Sequence, residues 1–457
     1  MRTYQDLVAI ENGTQNELID FVYTCITNHK ASDEYATAVV ADNYARQQNE
    51  TIVNYQKLLY TMSGEAVPDN YSANYKMCSN FFNRFTTQQV QYLLGNGVGW
   101  QNEDTDKKLG AEFDNTLQEI ALESLIGGVA FGFWNYDHME CFNLREFVPL
   151  YDEEDGALKA GIRFWQIDEG KPLRATLYEM DGYTDYIWNR RQTKKGEEYQ
   201  GTILYDKRAY QQVVRQSVVD GLQIFDKENY PNFPIVPLWA NRQKQSEIIG
   251  LREEIDAYDL IKSGFANDID DASQIYWTIQ NAGGMDDVDL AKFIQHMRVV
   301  KASVVEDTGA RAESHTMDVP YASREAILTR LRNDLYDDYM AFDPTQIASG
   351  SVTATQIRAS YEPINNKADM FEFCVRTFIA GILDLVGVDD QPSFSRSAII
   401  NASEEIDTIL SASQYLPARY VTEKILTLLG DKDRIDEVNS LMDEEDINRF
   451  TQGSDLA

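Results

Sequence analysis

Residue types able to do acid–base or nucleophilic chemistry are sparse and scattered. There are four histidines, His29, His138, His296 and His315. A nucleophile needs a base beside it, and none of the four lies in a recognisable local signature, with no GxSxG elbow and no HExxH pair. The four cysteines, Cys25, Cys78, Cys141 and Cys374, stand far apart with no CxxC. Neither a zinc site nor a disulfide framework is indicated, and a reducing compartment fits best. Gly95-Asn96-Gly97-Val98-Gly99 looks like half a dinucleotide loop. It follows a helical pattern rather than a strand, and no GKS/T follows, so it reads as a helix C-cap with a left-handed glycine. The chain by itself should not hydrolyse ATP. Carboxylates cluster at Asp268, Asp270 and Asp271 and at Asp286, Asp287 and Asp289, without EF-hand spacing, and read as a solvated acidic face. The sequence thus predicts no catalytic residue, no cofactor and no metal site.

The charge balance excludes more. The chain has 457 residues, enough for several domains, with 41 Lys+Arg against 74 Asp+Glu and a net charge of −33. A surface this acidic cannot wrap nucleic acid, because phosphates need Lys and Arg to displace their counterions. No basic patch interleaved with aromatics appears, so sequence-specific DNA binding has no support. A hydrophobic content of 43% excludes wholesale disorder. The polar start lacks an apolar signal-peptide region, and no apolar run is long enough to span a bilayer. A soluble protein made in a cytoplasm is expected.

The elements that must position any site fall into three stretches. The first ~60 residues read as helical, as do 72–94 and 111–125. After Gly127 the texture turns to short strands separated by turn clusters, an antiparallel region over about 128–240. Its last segment, Phe233 to Trp239, carries two prolines that confine it to an edge. Long helices follow. Residues 246–277 carry an apolar stripe of Leu251, Ile255, Tyr258, Ile261, Phe265, Ile269, Ala272 and Tyr276, and 322–342 carry Leu328, Leu331, Leu335, Tyr339 and Phe342 on one face. A small polar loop then precedes a third helix, 353–386, striped by Ile357, Tyr361, Ile364, Ala368, Phe371, Val375, Phe378, Ile382 and Leu385. Pro363 lies inside it and should kink it, since proline removes a ladder bond and clashes with the preceding turn. So many striped helices cannot all bury their faces in one small domain, which favours packing against copies of the chain.

In this order the sequence resembles the portal proteins of tailed bacteriophages, in the branch typified by a Bacillus siphophage. The segments that carry the resemblance are Gln91 to Val98, Phe233 to Asn241, Ile255 to Asp259 with Ser263 to Ile269, and Ser349-Gly350-Ser351 with Thr353 to Arg358. The resemblance implies an α+β fold with wing, stem, clip and crown regions and a long kinked tunnel helix. It implies a wing at 1–245, stem helices at 246–274 and 322–342, a clip at 275–321 and a tunnel loop at 343–352. The tunnel helix and its return to the wing would be 353–390, and the acidic crown 391–457. The tunnel loop residues Thr345, Gln346, Ile347, Ala348, Ser349, Gly350 and Ser351 would face DNA.

The resemblance also implies a homo-oligomeric ring, twelve-fold in the virion, at one capsid vertex. Such a ring nucleates head assembly and passes double-stranded DNA non-specifically during packaging and ejection. Its partners would be the terminase large subunit, the head-tail adaptor, the scaffold and the major capsid protein, with no membrane. ATP hydrolysis would belong to the terminase. Two alternatives stand beside it: an acidic hydrolase with an unrecognised site, and another phage head or tail structural protein. An acidic wall suits a channel for a polyanion, since every neutralised phosphate adds affinity and friction.

Overall fold

The computed structural model describes residues 2–10, 13–60, 64–69, 74–193, 196–219, 222–272, 276–280, 311–315, 321–346, 354–396, 409–429 and 437–442, with 406, 434 and 435. The chain opens with α1 (Tyr4–Ile10), α2 (Gln15–Lys30), α3 (Asp33–Ala45) and α4 (Glu50–Val53). Thr14 and Glu17 start α2 with a reciprocal capping box, and the Ser32 hydroxyl accepts from Tyr35 N at 3.2 Å to start α3. A hairpin of β1 (Leu58–Tyr60) and β2 (Ala66–Pro68) precedes α5 (Phe81–Leu94).

The sequence predicts a helix from residue 72, but α5 starts only at Phe81. Residues 74–80 lie extended along a later helix, α8 (Arg252–Ala272). Tyr75 N donates to Asn267 Oδ1 at 2.7 Å, Met77 N to Ser263 Oγ at 3.0 Å and Ser79 N to Asp259 Oδ1 at 2.9 Å. Two residues of extended chain advance about 6.6 Å and four of helix about 6 Å, so every second donor meets every fourth acceptor. These side chains take the backbone donors that a helix would have used.

At the glycine turn after α5, Gly95 stays right-handed at φ −63°, and the left-handed position is Gly97 at φ +75°. Next come β3 (Val98–Gly99), α6 (Glu103–Leu109) and α7 (Phe113–Gly127). Gly128, at φ +88°, closes α7, and a Cβ there would lie 2.9 Å from Ser246 N.

The strand region is antiparallel, as the sequence predicts. β4 (Val129–Asn135) pairs with β5 (His138–Asn143) and with β13 (Ile235–Trp239). β13 is an edge, where Pro237 removes no needed ladder donor. The second sheet runs β10-β9-β8-β7-β6, from β6 (Phe147–Tyr151), β7 (Leu158–Trp165), β8 (Leu173–Glu179), β9 (Gly182–Thr193) and β10 (Gly196–Arg208). β11 (Gln211–Val219) and β12 (Leu222–Glu228) form a separate hairpin. Phe131, Phe133, Phe142, Phe147 and Tyr178 fill the space between the sheets.

Helix α8 begins at Arg252 rather than 246, after Gly250 at φ +92°. β14 (Tyr276–Gln280) and β15 (Arg311–His315) pair antiparallel in the insertion that follows. α9 (Tyr321–Tyr339) packs on α8. α10 (Ala354–Val386) then crosses the three-stranded sheet, with Phe371, Val375, Phe378 and Ile382 fully buried against α7, β4 and β13. The two-residue β16 (Ser393–Phe394) pairs with β3, and α11 (Ala418–Leu429) lies in the C-terminal region. The fold is α+β.

Candidate functional site

The polar loop after α9 is built on a fixed root. α9 ends where Met340 takes the left-handed φ of +62°, with Met340 N donating to Asp337 O and Ala341 N to Tyr336 O at 2.9 Å. The next residue, Phe342, is buried. Its backbone pairs reciprocally with the Gln88 side chain of α5: Phe342 N donates to Gln88 Oε1 at 3.2 Å, and Gln88 Nε2 donates to Phe342 O at 3.0 Å. Its ring stacks on Tyr361 of α10 at 4.2 Å between centroids, and Tyr361 stacks on Tyr92 of α5 at 5.9 Å.

Asp343 carries the next restraint. Arg332 of α9 grips its carboxylate with two hydrogen bonds of 2.8 Å each. Thr345 adds its N–H at 3.0 Å and its hydroxyl at 2.8 Å. The Arg332 guanidinium, with the Thr345 donors behind it, holds the Asp343 carboxyl down to about 2. This is an ion pair with every carboxylate oxygen satisfied, one residue from the buried Phe342.

A second, part-buried ion pair ties α10 to the segment before α8. Lys367 Nζ donates to Glu247 at 2.6 Å and lies 3.4 Å from the centroid of the Tyr339 ring. Burial pushes the Lys367 ammonium down, against the pull of Glu247. Tyr339, fully buried, donates its hydroxyl to Gln89 Oε1 at 2.7 Å. α5, α9 and α10 therefore meet in one interlocked root.

Of the residues singled out in the sequence, Thr345 and Gln346 sit in a 3₁₀ turn, Pro344–Gln346, at this root. Ile347, Ala348, Ser349, Gly350 and Ser351 lie outside the described residues. Pro363 lies within α10, on the exposed side and two residues beyond Tyr361. The sequence reading did not anticipate the roles of Gln88, Arg332 and Asp343. Phe342 and Tyr361 are visible in the sequence only as members of apolar stripes.

The other candidate chemistry is accounted for individually. His29 is buried and bonded to Leu144 O, and His138 pairs with the adjacent Asp137. The four cysteines are free thiols. Asp268, expected to be solvated, pairs with Arg324 of α9. His296, Asp286, Asp287 and Asp289 fall outside the described residues. Among the described residues no group of three or more His, Cys, Asp or Glu could hold a metal ion, and no helix is long and apolar enough to cross a membrane.

The family model for phage portal proteins of the SPP1 Gp6-like type matches residues 29–445. The chain belongs to that family. A portal protein of Clostridium phage phiCD119 is 22% identical over 381 residues, covering 77% of this chain and 81% of the relative. The portal protein of Bacillus phage SPP1 is 22% identical over 390 residues, covering 78% of this chain and 73% of the relative. Among solved structures, a chain from the neck of an empty gene transfer agent particle aligns with a TM-score of 0.44 at 10% identity, covering 77% of this chain and 90% of that chain. One from the neck of the native particle, computed with C12 symmetry, aligns at 0.42 and 10% identity, covering 76% and 89%.

Portal proteins are structural components of the phage particle, so the portal reading of the sequence holds.

Proposed function

We propose that this portal chain assembles into a closed, twelve-fold ring at one capsid vertex and that double-stranded DNA passes through its centre. The ring nucleates head assembly, docks the terminase large subunit during packaging and later holds the head-tail adaptor, with the scaffold and the major capsid protein around it. α8 and α9 are the stem, the insertion 275–321 the clip, 343–352 the tunnel loop, α10 the tunnel helix kinked at Pro363, and 391–457 the crown. The family match over 29–445 is the observation that carries this reading.

The tunnel loop is the DNA-contacting element. Its side chains are short or polar, from Thr345 and Gln346 to Ser351. Hydroxyl and amide groups touch phosphates through single weak bonds and carry no sequence information. The Arg332–Asp343 clamp and the Phe342–Tyr361 stack support the assignment, because a loop that follows a moving polyanion needs a rigid root. Replacing Gln346 and Ser349 with lysine adds phosphate attraction, so packaging slows and DNA association becomes more salt-dependent, while rings still form. A double lysine variant that packages at the wild-type rate across a range of salt removes this loop from the DNA path.

A further inference from the structure

Helix α10 carries a second stripe, on the side turned away from the sheet. Asn366, Met370, Phe373, Thr377 and Ala380 follow one another at steps of 4, 3, 4 and 3, and all are exposed. None carries a charge. Met370 is 55% and Phe373 60% exposed, and Thr377 turns its hydroxyl back to Phe373 O at 2.9 Å. The charges of α10 between 366 and 380 lie off this stripe and are paired within the subunit: Lys367 with Glu247, Arg376 with Glu372, and Asp369 and Glu372 with Arg396. The outward face of a solvated helix is ordinarily charged. In a chain with 25% charged residues, five successive uncharged outward positions mark a face that something covers. Beside the stripe, Arg242 lies over the Phe373 ring at 5.3 Å and forms no ion pair among the described residues.

A matching surface lies elsewhere on the helical layer. α5 packs on both α10 and α3 and stands between them. α3 turns Ala38 and Ala41 into the core. Its Ala36 and Val40 line a hollow of about 320 Å³, whose other wall is Ile248, Ile249 and Gly250. Ile249 is 51% exposed. Asp33 and Glu253, both exposed, stand at its rim and form no ion pair among the described residues. Arg252, the cation at the same rim, is engaged by Glu50 at 3.6 Å. The hollow is therefore apolar inside, with two carboxylates left to a cation from outside.

We infer that the α10 stripe of one copy of the chain seats on this hollow of the next copy. Phe373 and Met370 meet Ile249 and Val40, and Arg242 meets Asp33 and Glu253. The inference rests on the ring reading above and names the contact that closes the ring. A net charge of −33 sets copies against one another, so a contact between them needs an uncharged face and opposite charges at its edge. These two surfaces supply both. They are different patches on separate helices of one subunit, so the contact is head-to-tail, the kind that generates rings.

The test uses the full-length protein. Mass photometry over a dilution series reads the subunit concentration at which half of the mass is in rings. Phe373→Ser, at an exposed position, and Arg242→Glu, which sets an acid against the acidic rim, are each expected to raise that concentration about tenfold or more. Arg242→Glu combined with Glu253→Arg in the same chain restores opposite charges across every contact and is expected to recover most of the loss. Wild-type rings with an unchanged midpoint in both single variants overturn this inference alone. A charge swap that recovers nothing, in variants that circular dichroism shows to be folded, overturns it too. Should a charge variant not fold, Phe373→Ser decides. A wild type that forms no ring at any concentration overturns the ring reading, and this inference with it.

Discussion

The rings of Phe342 and Tyr361 stack with centroids 4.2 Å apart and planes 12° from parallel, so the chain leaves and re-enters the core at one point. Residues 343–346 leave from this stack, and the first turns of α10 lead back to it. Truncating a buried aromatic ring costs about 3–5 kcal/mol. Phe342→Ala should therefore destabilise the root by that order in denaturant unfolding and expose residues 343–346 to limited proteolysis. Tyr361→Phe, which keeps the ring, should do neither. Equal protease sensitivity of Phe342→Ala and the wild type would count against the pin.

The Arg332–Asp343 clamp makes a pH prediction. The folded Asp343 carboxyl is lowered from 3.8 to about 2. A depressed folded pKa contributes stability that is fully present above the unfolded value and lost as pH falls through the folded one. The wild type should therefore lose this contribution as pH drops from 3.8 toward about 2. Asp343→Asn should show a lower melting temperature at neutral pH, and the gap should close across that window. A gap independent of pH would show that the charge at Asp343 is not what stabilises the root.

Much of this architecture is legible in the sequence. The stripe of α10 is read correctly, since Phe371 to Leu385 pack in the cluster of α7 and the sheet, Tyr361, Ile364 and Ala368 pack with Tyr92 and Phe342, and both contacts impose the helical period. The edge position of β13 follows from Pro237 within it and Pro234 just before it. Residues 74–80 defeat the reading because their competitors for backbone donors, Asp259, Ser263 and Asn267, stand about 180–190 positions later. The clamp is equally hidden. Arg332 and Asp343 are eleven positions apart across a helix end, and no periodicity marks such a pair.

That strap along α8 is testable in its own right. Ser263 and Asn267 are buried and accept backbone donors, so truncating either leaves an N–H unpaired, at about 1–3 kcal/mol. Ser263→Ala and Asn267→Ala should each lower stability by that order and speed amide exchange at Met77 and Tyr75 respectively. Protection left intact in both variants would mean the strap is held by something else.

The largely buried Lys367–Glu247 pair should behave asymmetrically. Removing one partner strands a buried charge, at about 3–5 kcal/mol, whereas replacing both by apolar groups of similar size is often neutral. Lys367→Met and Glu247→Leu should each destabilise strongly, and the double variant should recover most of the loss in urea unfolding. Strict additivity of the two single losses would contradict direct coupling.

The central claim is that this portal chain closes into a ring around DNA, and particle mass measures it most directly. The subunit weighs 52.2 kDa, so a twelve-fold ring should weigh roughly 0.6 MDa by mass photometry or light scattering, with a central hole in negative-stain images. Ring formation should persist in the Gln346→Lys/Ser349→Lys variant. A monomer or dimer across all concentrations and buffers, with no closed particles in the images, would contradict the account.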